Sequence, residues 1–220
     1  MRLGLFSPPG GDTRIVVEQM KVWQTAVTGE VTLGGSAASG ALALAGGGLD
    51  GTIRLAPRDG GQGFDVALTA ENARFGGTTP LGIGLARVSA SGSLVGGHST
   101  VSSNLFAEGV QQGSLFIGRI AANAALRDGV GKVTASLSGP RGSRFALQVL
   151  ADISPDQYRL LAQGDYVGQR IAMPRRAVLT RAGDGWELAP SQIDFAGGRL
   201  IASGRFDGET RLDLAMADMP

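Results

Sequence analysis

The chain has 220 residues, and its 20 basic against 19 acidic side chains leave a net charge of +1, which gives no electrostatic case for a nucleic-acid partner. Its hydrophobic content of 43% excludes a disordered chain, and the absence of cysteine excludes disulfides and thiolate metal sites. Only 5% of the residues are aromatic and no run of about 18 apolar residues predicts a transmembrane helix, so we expect an interior built from Leu, Val, Ile and Ala.

Glycine supplies 36 residues, about twice the usual share of ~7%, and it falls between short runs in which apolar and polar residues alternate. In the N-terminal part, residues 14–28 predict one or two strands, and the Gly, Ser and Ala stretch 34–40 separates them from the alternating run 41–45. The three glycines 46–48 predict a turn, and residues 49–56 predict the returning strand.

The next signal is a hairpin turn at residues 58–61, Arg-Asp-Gly-Gly, since Asp-Gly and Gly-Gly favour the left-handed backbone of tight turns. Beyond it, Phe64, Val66, Leu68 and Ala70 alternate with polar residues and therefore share one face of a strand.

In the middle of the chain, residues 81–95 predict a pair of strands, and residues 101–117 predict two strands around Glu108 and Gly109. Turn signals about 8–12 residues apart are typical of an all-β chain. The meander then continues through three further predicted strands, at residues 120–126, 130–138 and 144–153.

One segment fits two structures. Ser154-Pro155-Asp156-Gln157 resembles a helix start, with a capping Ser, Pro at the first helical position and Gln three residues after the Ser. We favour a further strand, because strands are predicted on both sides and Gly164-Asp165 predicts a turn. The pattern before Thr100 matches the pattern after it, so residues 1–220 are predicted to form a single continuous segment without an internal boundary.

The sequence offers few residues for catalysis. His98 is the only histidine and follows two glycines, no Gly-x-Ser-x-Gly motif is present, and the carboxylates are scattered. Asp50 and Asp59 bracket a predicted strand, where turns explain both. None of the glycine runs forms a phosphate-binding loop. We therefore predict no enzymatic activity, no catalytic residue, no metal and no cofactor.

Two further residue types each have two interpretations. Arg175 and Arg176 fit an anionic head group, but adjacent strand residues face opposite sides, which favours a solvated rim. Trp23 and Trp186 fit anchors at a membrane interface, and more often such residues plug a core or the end of a sheet.

The alternating runs predict a sheet with one apolar face, which must be covered. A sandwich would cover it with bulky inner residues, whereas a sheet folded lengthwise into a trough would leave an apolar groove, and such grooves usually bind a ligand or partner. The candidate groove-lining residues are apolar residues that share a strand face: Phe64, Val66, Leu68, Phe145, Leu147, Val149, Leu212 and Leu214.

The C-terminal third carries a family resemblance in its turn and strand motifs. They are Gly164, Arg170-Ile171, Pro174-Arg175, Ala177-Val178-Leu179, Gly183-Asp184-Gly185-Trp186, Leu188-Ala189-Pro190, Gly197-Gly198-Arg199, Ala202-Ser203-Gly204, Leu212-Asp213-Leu214 and Met219-Pro220. This part of the chain resembles the TamB family, the inner-membrane-anchored subunit of the translocation and assembly module of Gram-negative bacteria. The resemblance is strongest from Ser154 to Pro220 and compositional over Met1 to Ile153.

The resemblance implies an all-β fold with little or no helix, in which a long twisted sheet is folded into an elongated groove (a β-taco, open and solenoid-like), as in AsmA-like and bridge-type lipid transfer proteins. It implies a location in the periplasm, tethered to the inner membrane. The implied function is transport of phospholipid to the outer membrane, or assembly and secretion of outer-membrane proteins. The implied partners are phospholipid acyl chains and an outer-membrane barrel of the TamA type.

The chain departs from the family because it lacks the N-terminal membrane anchor and the C-terminal domain, so we expect it to be an internal or truncated segment. Two other functions compete with the groove. A structural β-solenoid stalk of a secreted or surface protein shares the Gly-rich strands but predicts a strict repeat length. A sugar-processing β-helix enzyme would need clustered carboxylates, which are absent from the sequence.

Overall fold

The computed structural model describes residues 2–35, 37–77, 80–139, 145–207 and 209–218, and β-strands are the only regular elements in these ranges. The predicted all-β class is therefore confirmed. Contacts divide the chain into two compact units, Met1–Asp128 and Gly129–Pro220, with the division at a turn. The prediction of one continuous segment over residues 1–220 stays a prediction. No helix with the length and hydropathy to span a membrane occurs in the described ranges.

The described residues of the first unit form nine strands, each paired antiparallel with its neighbour in sequence. Such a meander needs only short turns between strands, which the glycine-rich punctuation supplies. The strands are β1 (Arg2–Phe6), β2 (Thr13–Val22), β3 (Thr25–Gly34), β4 (Ala37–Ala45), β5 (Leu49–Arg58), β6 (Gly61–Phe75), β7 (Leu81–Val95), β8 (His98–Gln112) and β9 (Leu115–Arg127).

The second unit contains eight strands in the same antiparallel arrangement, except that two short strands together occupy one position. Both β13 and β14 pair with β12 on one side and with β15 on the other. The strands are β10 (Val130–Ser138), β11 (Phe145–Ser154), β12 (Gln157–Tyr166), β13 (Gln169–Ala172), β14 (Ala177–Ala182), β15 (Gly185–Phe195), β16 (Gly198–Asp207) and β17 (Glu209–Ala217).

The turn predicted at residues 58–61 has the expected backbone. Asp59 and Gly60 have φ of +51° and +80°, and Arg58 pairs with Gly61 across them, which is the two-residue hairpin that Asp-Gly favours. Ser154 pairs with Gln157 in the same way, so this segment is a hairpin and the strand interpretation is confirmed. The Ser154 hydroxyl donates to the Gln157 carbonyl at 2.9 Å, which uses the side chain that would otherwise cap a helix.

Four predictions from glycine and proline positions are wrong. The turn predicted at Gly164-Asp165 does not occur there, because β12 continues through both residues to Tyr166. Residues 81–95 form one strand, β7, because Gly84 and Gly92 lie inside it rather than at a turn. Residues 34–40 do not separate strands throughout, since β4 already begins at Ala37. Arg175 and Arg176 are not strand residues, because they lie between β13 and β14.

The predicted turn at Glu108 and Gly109 is also wrong, and its correction reveals the main irregularity of the first unit. β8 continues through both residues to Gln112. Gly109 has φ of +64°, and so does Asn72 in β6, at +49°. In each of the strand pairs β6–β7, β7–β8 and β8–β9, one position is left out of the pairing, although the residues on both sides of it are paired. The positions left out lie next to each other and form one row across the four strands. We call this row the crease; it consists of Asn72, Gly84, Gly109 and Gly118.

The largest buried cluster of the first unit lies across the crease. Ala70 precedes Asn72 and Ala73 follows it, yet both belong to the same buried cluster, with Ala86 and Ala107. In an unbroken strand, residues three apart would face opposite sides. The left-handed residue at the crease therefore shifts the alternation of the strand by one residue, so that apolar residues on its two sides share one face and pack together.

Glycine in this sheet also allows close backbone approach, and Gly29 in β3 is the clearest case. Its φ is +143°, and a β-carbon there would overlap the carbonyl oxygen of Ala41. We expect Gly29→Ala to lower the free energy of unfolding by about 2 kcal/mol or more, because both the backbone angle and the contact become strained. Urea denaturation followed by tryptophan fluorescence measures this change.

Gly82→Ala is the matched control, because a β-carbon at Gly82 would meet no atom closer than 3.9 Å. We expect it to change the free energy of unfolding by less than about 1 kcal/mol. Equal effects of the two substitutions would contradict the close approach at Gly29.

Candidate functional site

The registers of β2 to β9 align apolar residues of successive strands into transverse rows on one side of the sheet. Side chains directly opposite each other in neighbouring strands lie on the same face. We call this side the apolar face of the first unit. Its rows are Ile15, Val31, Gly40, Leu55, Phe64, Gly92, Val101 and Leu126; Val17, Gly29, Leu42, Ile53, Val66, Ala90, Ser103 and Ala124; Met20, Val27, Leu44, Gly51, Leu68, Val88, Leu105 and Ala122; and Leu49, Ala70, Ala86, Ala107 and Ile120.

Glycines on this face lie next to large side chains. Gly92 is opposite Phe64, and a β-carbon at Gly92 would lie 2.6 Å from an atom of the phenyl ring. The ring thus lies over a strand position that carries no side chain. Such pairing of an aromatic with a glycine covers backbone that would otherwise be exposed, and it leaves a continuous hydrocarbon surface of fairly even height.

The apolar face is only partly buried. Among the described residues no large side chain is less than 2% exposed, and the buried apolar residues are mainly Ala and Val. Leu42, Ile53 and Val66 are half-buried, and Leu105 is 36% exposed. A closed sandwich would bury its large inner residues at close to crystal packing density. The face is therefore open to solvent or to a ligand along much of its area.

The opposite face of the same strands is polar. It carries charged residues in pairs, such as Arg119 with Glu108 at 2.9 Å and Arg58 with Asp65 at 3.0 Å. The paired side chains are 39–62% exposed, so each pair contributes little to stability. These pairs make this face of the sheet hydrophilic, in contrast to the apolar face.

The second unit has a similar face. Leu137, Leu147, Gly164, Ile171 and Phe195 form one continuous row from β10 to β15. A second row runs from Ile153 to Leu212 through Tyr158, Leu179, Leu188 and Gly204.

The structure places the predicted lining residues in three groups. Phe64, Val66 and Leu68 lie on the apolar face of the first unit and are half-buried. Phe145, Leu147 and Val149 lie together on the corresponding face of the second unit and are also half-buried. Leu212 and Leu214 lie on β17 and are about half exposed, at 49% and 53%. Because the first two groups belong to separate units, each is a candidate site by itself.

Both tryptophans lie at strand ends. Trp23, at the turn between β2 and β3, is 67% exposed and makes an edge-to-face contact with Phe75 at 5.3 Å between ring centroids. Trp186, at the start of β15, stacks on Tyr158 at 4.4 Å. Neither is a fully buried core residue, so the plug and membrane-anchor interpretations both remain open.

Polar residues singled out in the sequence occupy turns and edges. Asp50 accepts the Gly46 backbone N–H at 3.2 Å, and Asp59 is a turn residue. Arg176 pairs with Asp152 at 2.8 Å, whereas Arg175 is exposed. Within the described ranges, no three His, Cys, Asp or Glu side chains are grouped closely enough to hold a metal ion.

His98 has one specific partner. Its Nδ1 lies 3.0 Å from Asp128 Oδ2, and the other carboxylate oxygen of Asp128 accepts the Ser99 backbone N–H at 2.7 Å. The hydrogen bond with His98 is the largest cause that holds the pKa of Asp128 below its ordinary value of 3.8, and the bond from Ser99 adds to it. The His98 side chain is 79% exposed, so this pair joins two turns at the surface.

The most buried apolar feature, the alanine row and its crease, was not predicted. The sequence carries a signal for it, since the apolar positions of β6 are even-numbered up to Ala70 and odd-numbered from Ala73. A change of phase inside an alternating run indicates a bulge or bend.

Comparison of the chain with protein-family models, curated proteins and solved structures finds no match, and the resemblance to the TamB family stays a prediction.

The lowered pKa of Asp128 predicts how stability depends on pH. A carboxyl group with a lowered pKa in the folded state stabilises the fold above its ordinary pKa, and the contribution is lost as pH falls through the lowered value. We expect the thermal midpoint of the native chain to exceed that of Asp128→Asn at pH 5, and this difference to shrink below pH 3.8. Circular dichroism melts between pH 2 and 5 measure it.

Asp184→Asn serves as the control, because Asp184 is an exposed carboxylate in the turn before β15. Its difference from the native chain should be smaller than that of Asp128→Asn at pH 5. A pH-independent difference for Asp128→Asn would contradict the assigned role of the carboxylate.

Proposed function

We propose that the apolar faces bind the acyl chains of phospholipids, and that the chain is a segment of a groove that carries phospholipid between the inner and outer membranes or assists assembly of outer-membrane proteins. The observation that supports this proposal is an apolar face of several aligned rows that stays half-exposed, opposite a polar face. A soluble protein rarely exposes a large continuous apolar surface unless a ligand or partner covers it.

The proposed mechanism is passive. Each Å² of hydrocarbon removed from water contributes about 25 cal/mol, so an acyl chain binds to rows of Leu, Val, Ile and Phe without directional contacts. Since these rows consist almost entirely of hydrocarbon side chains, the head group stays in water and binding tolerates different head groups. The rows also repeat at each strand, so an acyl chain leaving one strand meets similar residues on the next.

The resemblance to the TamB family places this proposal in the periplasm, with the inner membrane as tether and a TamA-type barrel as partner. These parts of the proposal rest on the motifs of the C-terminal third alone.

A structural stalk is the alternative. A β-solenoid stalk stacks parallel coils around a closed core, whereas the pairings here are antiparallel between sequence neighbours. The antiparallel arrangement and the half-exposed rows favour the groove. The two functions differ in whether the apolar face is covered by protein or by ligand, which mutation can separate.

Lipid binding is tested by extracting the purified chain and analysing the extract by mass spectrometry. We expect phospholipids of mixed head groups to co-purify, because the contacts are to hydrocarbon only. A lipid-free chain that also fails to bind a fluorescent acyl probe would refute the proposal.

Leu147→Arg distinguishes the groove from a closed core. Leu147 is half-buried in β11 between Leu137 and Gly164. In an open groove the Arg side chain reaches water, so we expect the fold to persist and the affinity for the acyl probe to fall at least tenfold, which is about 1.4 kcal/mol. In a closed core the unpaired charge would unfold the chain.

Gln148→Arg is the matched control, because Gln148 is the next residue of β11 and is exposed on the opposite face. It should keep both the fold and the affinity, as measured by circular dichroism and probe titration. Unfolding of Leu147→Arg alone would favour the stalk.

A further inference from the structure

We propose that the crease is the closed end of the groove in the first unit, and that acyl chains lie along the strands with their terminal methyl groups toward the alanine row. This proposal rests on the proposed function of the apolar face. It goes further because it gives the orientation of the ligand and the substrate class, namely lipids with acyl chains of about the length found in one membrane leaflet.

Exposure changes steeply along the strands toward the crease. In the alanine row, Ala70 is 5%, Ala86 6% and Ala107 3% exposed, and beyond the crease Ala73 is 0% exposed. Two residues before Ala107, Leu105 is 36% exposed. The alanine row on the apolar face is therefore closed to water, whereas the face is accessible at Leu105, one row away on β8.

The residues beyond the crease close this end. They form the ends of β6 to β9, which we call the flap: residues 73–75, 81–83, 110–112 and 115–117. Ile83 and Val110 of the flap pack against the alanine cluster. Alanine at three successive strands leaves room for these larger side chains, since a longer residue would hold the flap away from the sheet.

The open part of the face has a defined length. Phe64 in the outermost row and Ala70 in the alanine row are six residues apart on β6, which is about 20 Å at ~3.4 Å per residue. The hydrocarbon core of a bilayer is ~30 Å thick, so one leaflet contributes chains of about 15 Å. A chain of about 15 Å that ends at the alanine row stops about 5 Å short of the outermost row, so its head group lies near the solvent-exposed rim at Phe64.

The test is displacement of a fluorescent acyl probe from the purified 220-residue chain by saturated fatty acids of increasing length, below their micelle concentrations. For the native chain we expect affinity to rise about fourfold for each added methylene and then to stop rising, because further methylenes cannot pass the crease. The length at which affinity stops rising is the measured quantity.

Val88→Phe tests whether the crease sets this length. Val88 is half-buried one row from the alanine row, between Leu68 and Leu105. A phenyl ring there fills the end of the groove, so we expect affinity to stop rising at an acid shorter by several methylenes. Ser89→Phe places the same ring on the exposed polar face and should leave the profile of the native chain unchanged.

The outcomes separate this proposal from the previous one. Absence of binding for every acid overturns both. Binding whose affinity keeps rising with length, or a limit that Val88→Phe does not shift, overturns only the closed end and the orientation along the strands. If Val88→Phe fails to fold, Leu105→Phe gives the same test, because its already exposed position tolerates a larger side chain.

Discussion

An antiparallel sheet places the apolar residues of every strand on one side, and the free energy of covering that side is the constraint on which the rest of this structure depends. Here Ala, Val and Gly occupy many of the positions where a closed core would hold large residues, and the described part of the chain has no fully buried large side chain. The sheet covers only part of its apolar face with its own residues. The part of the apolar face that stays half-exposed is the surface that we propose binds acyl chains.

The first unit covers that part at the crease. At the crease, the left-handed backbone of Asn72 and Gly109 changes which residues face the apolar side, so that residues beyond it pack with Ala70, Ala86 and Ala107. Only the small size of alanine permits this contact. The same local feature therefore supplies the best-packed core of the unit and a boundary to its open face, so stability and the proposed ligand length depend on the same few residues.

Sequence patterns predicted strands and turns correctly where the local residues favour a single backbone conformation. Asp59-Gly60 has a backbone preference that only a tight turn satisfies, and the alternation from Phe64 to Ala70 fixes a face. Prediction failed at Gly109, because a glycine with positive φ occurs both in turns and in bulges. The difference depends on the partner strands, where Gly84 and Gly118 lie opposite. The candidate lining residues of β6 and β11 were placed on apolar faces, but the alanine row was missed because alanine carries little hydrophobic signal.

In the first unit, the pairing of each strand with its neighbour in sequence has a consequence for how such a chain can change in evolution. A hairpin inserted at any turn would pair with the strands on either side and leave the rest of the connectivity intact, in the manner of repeat proteins. Each added strand would widen the sheet by about 4.8 Å. The width of a sheet of this type can therefore change in small steps, without a new fold and without long-range contacts that slow folding.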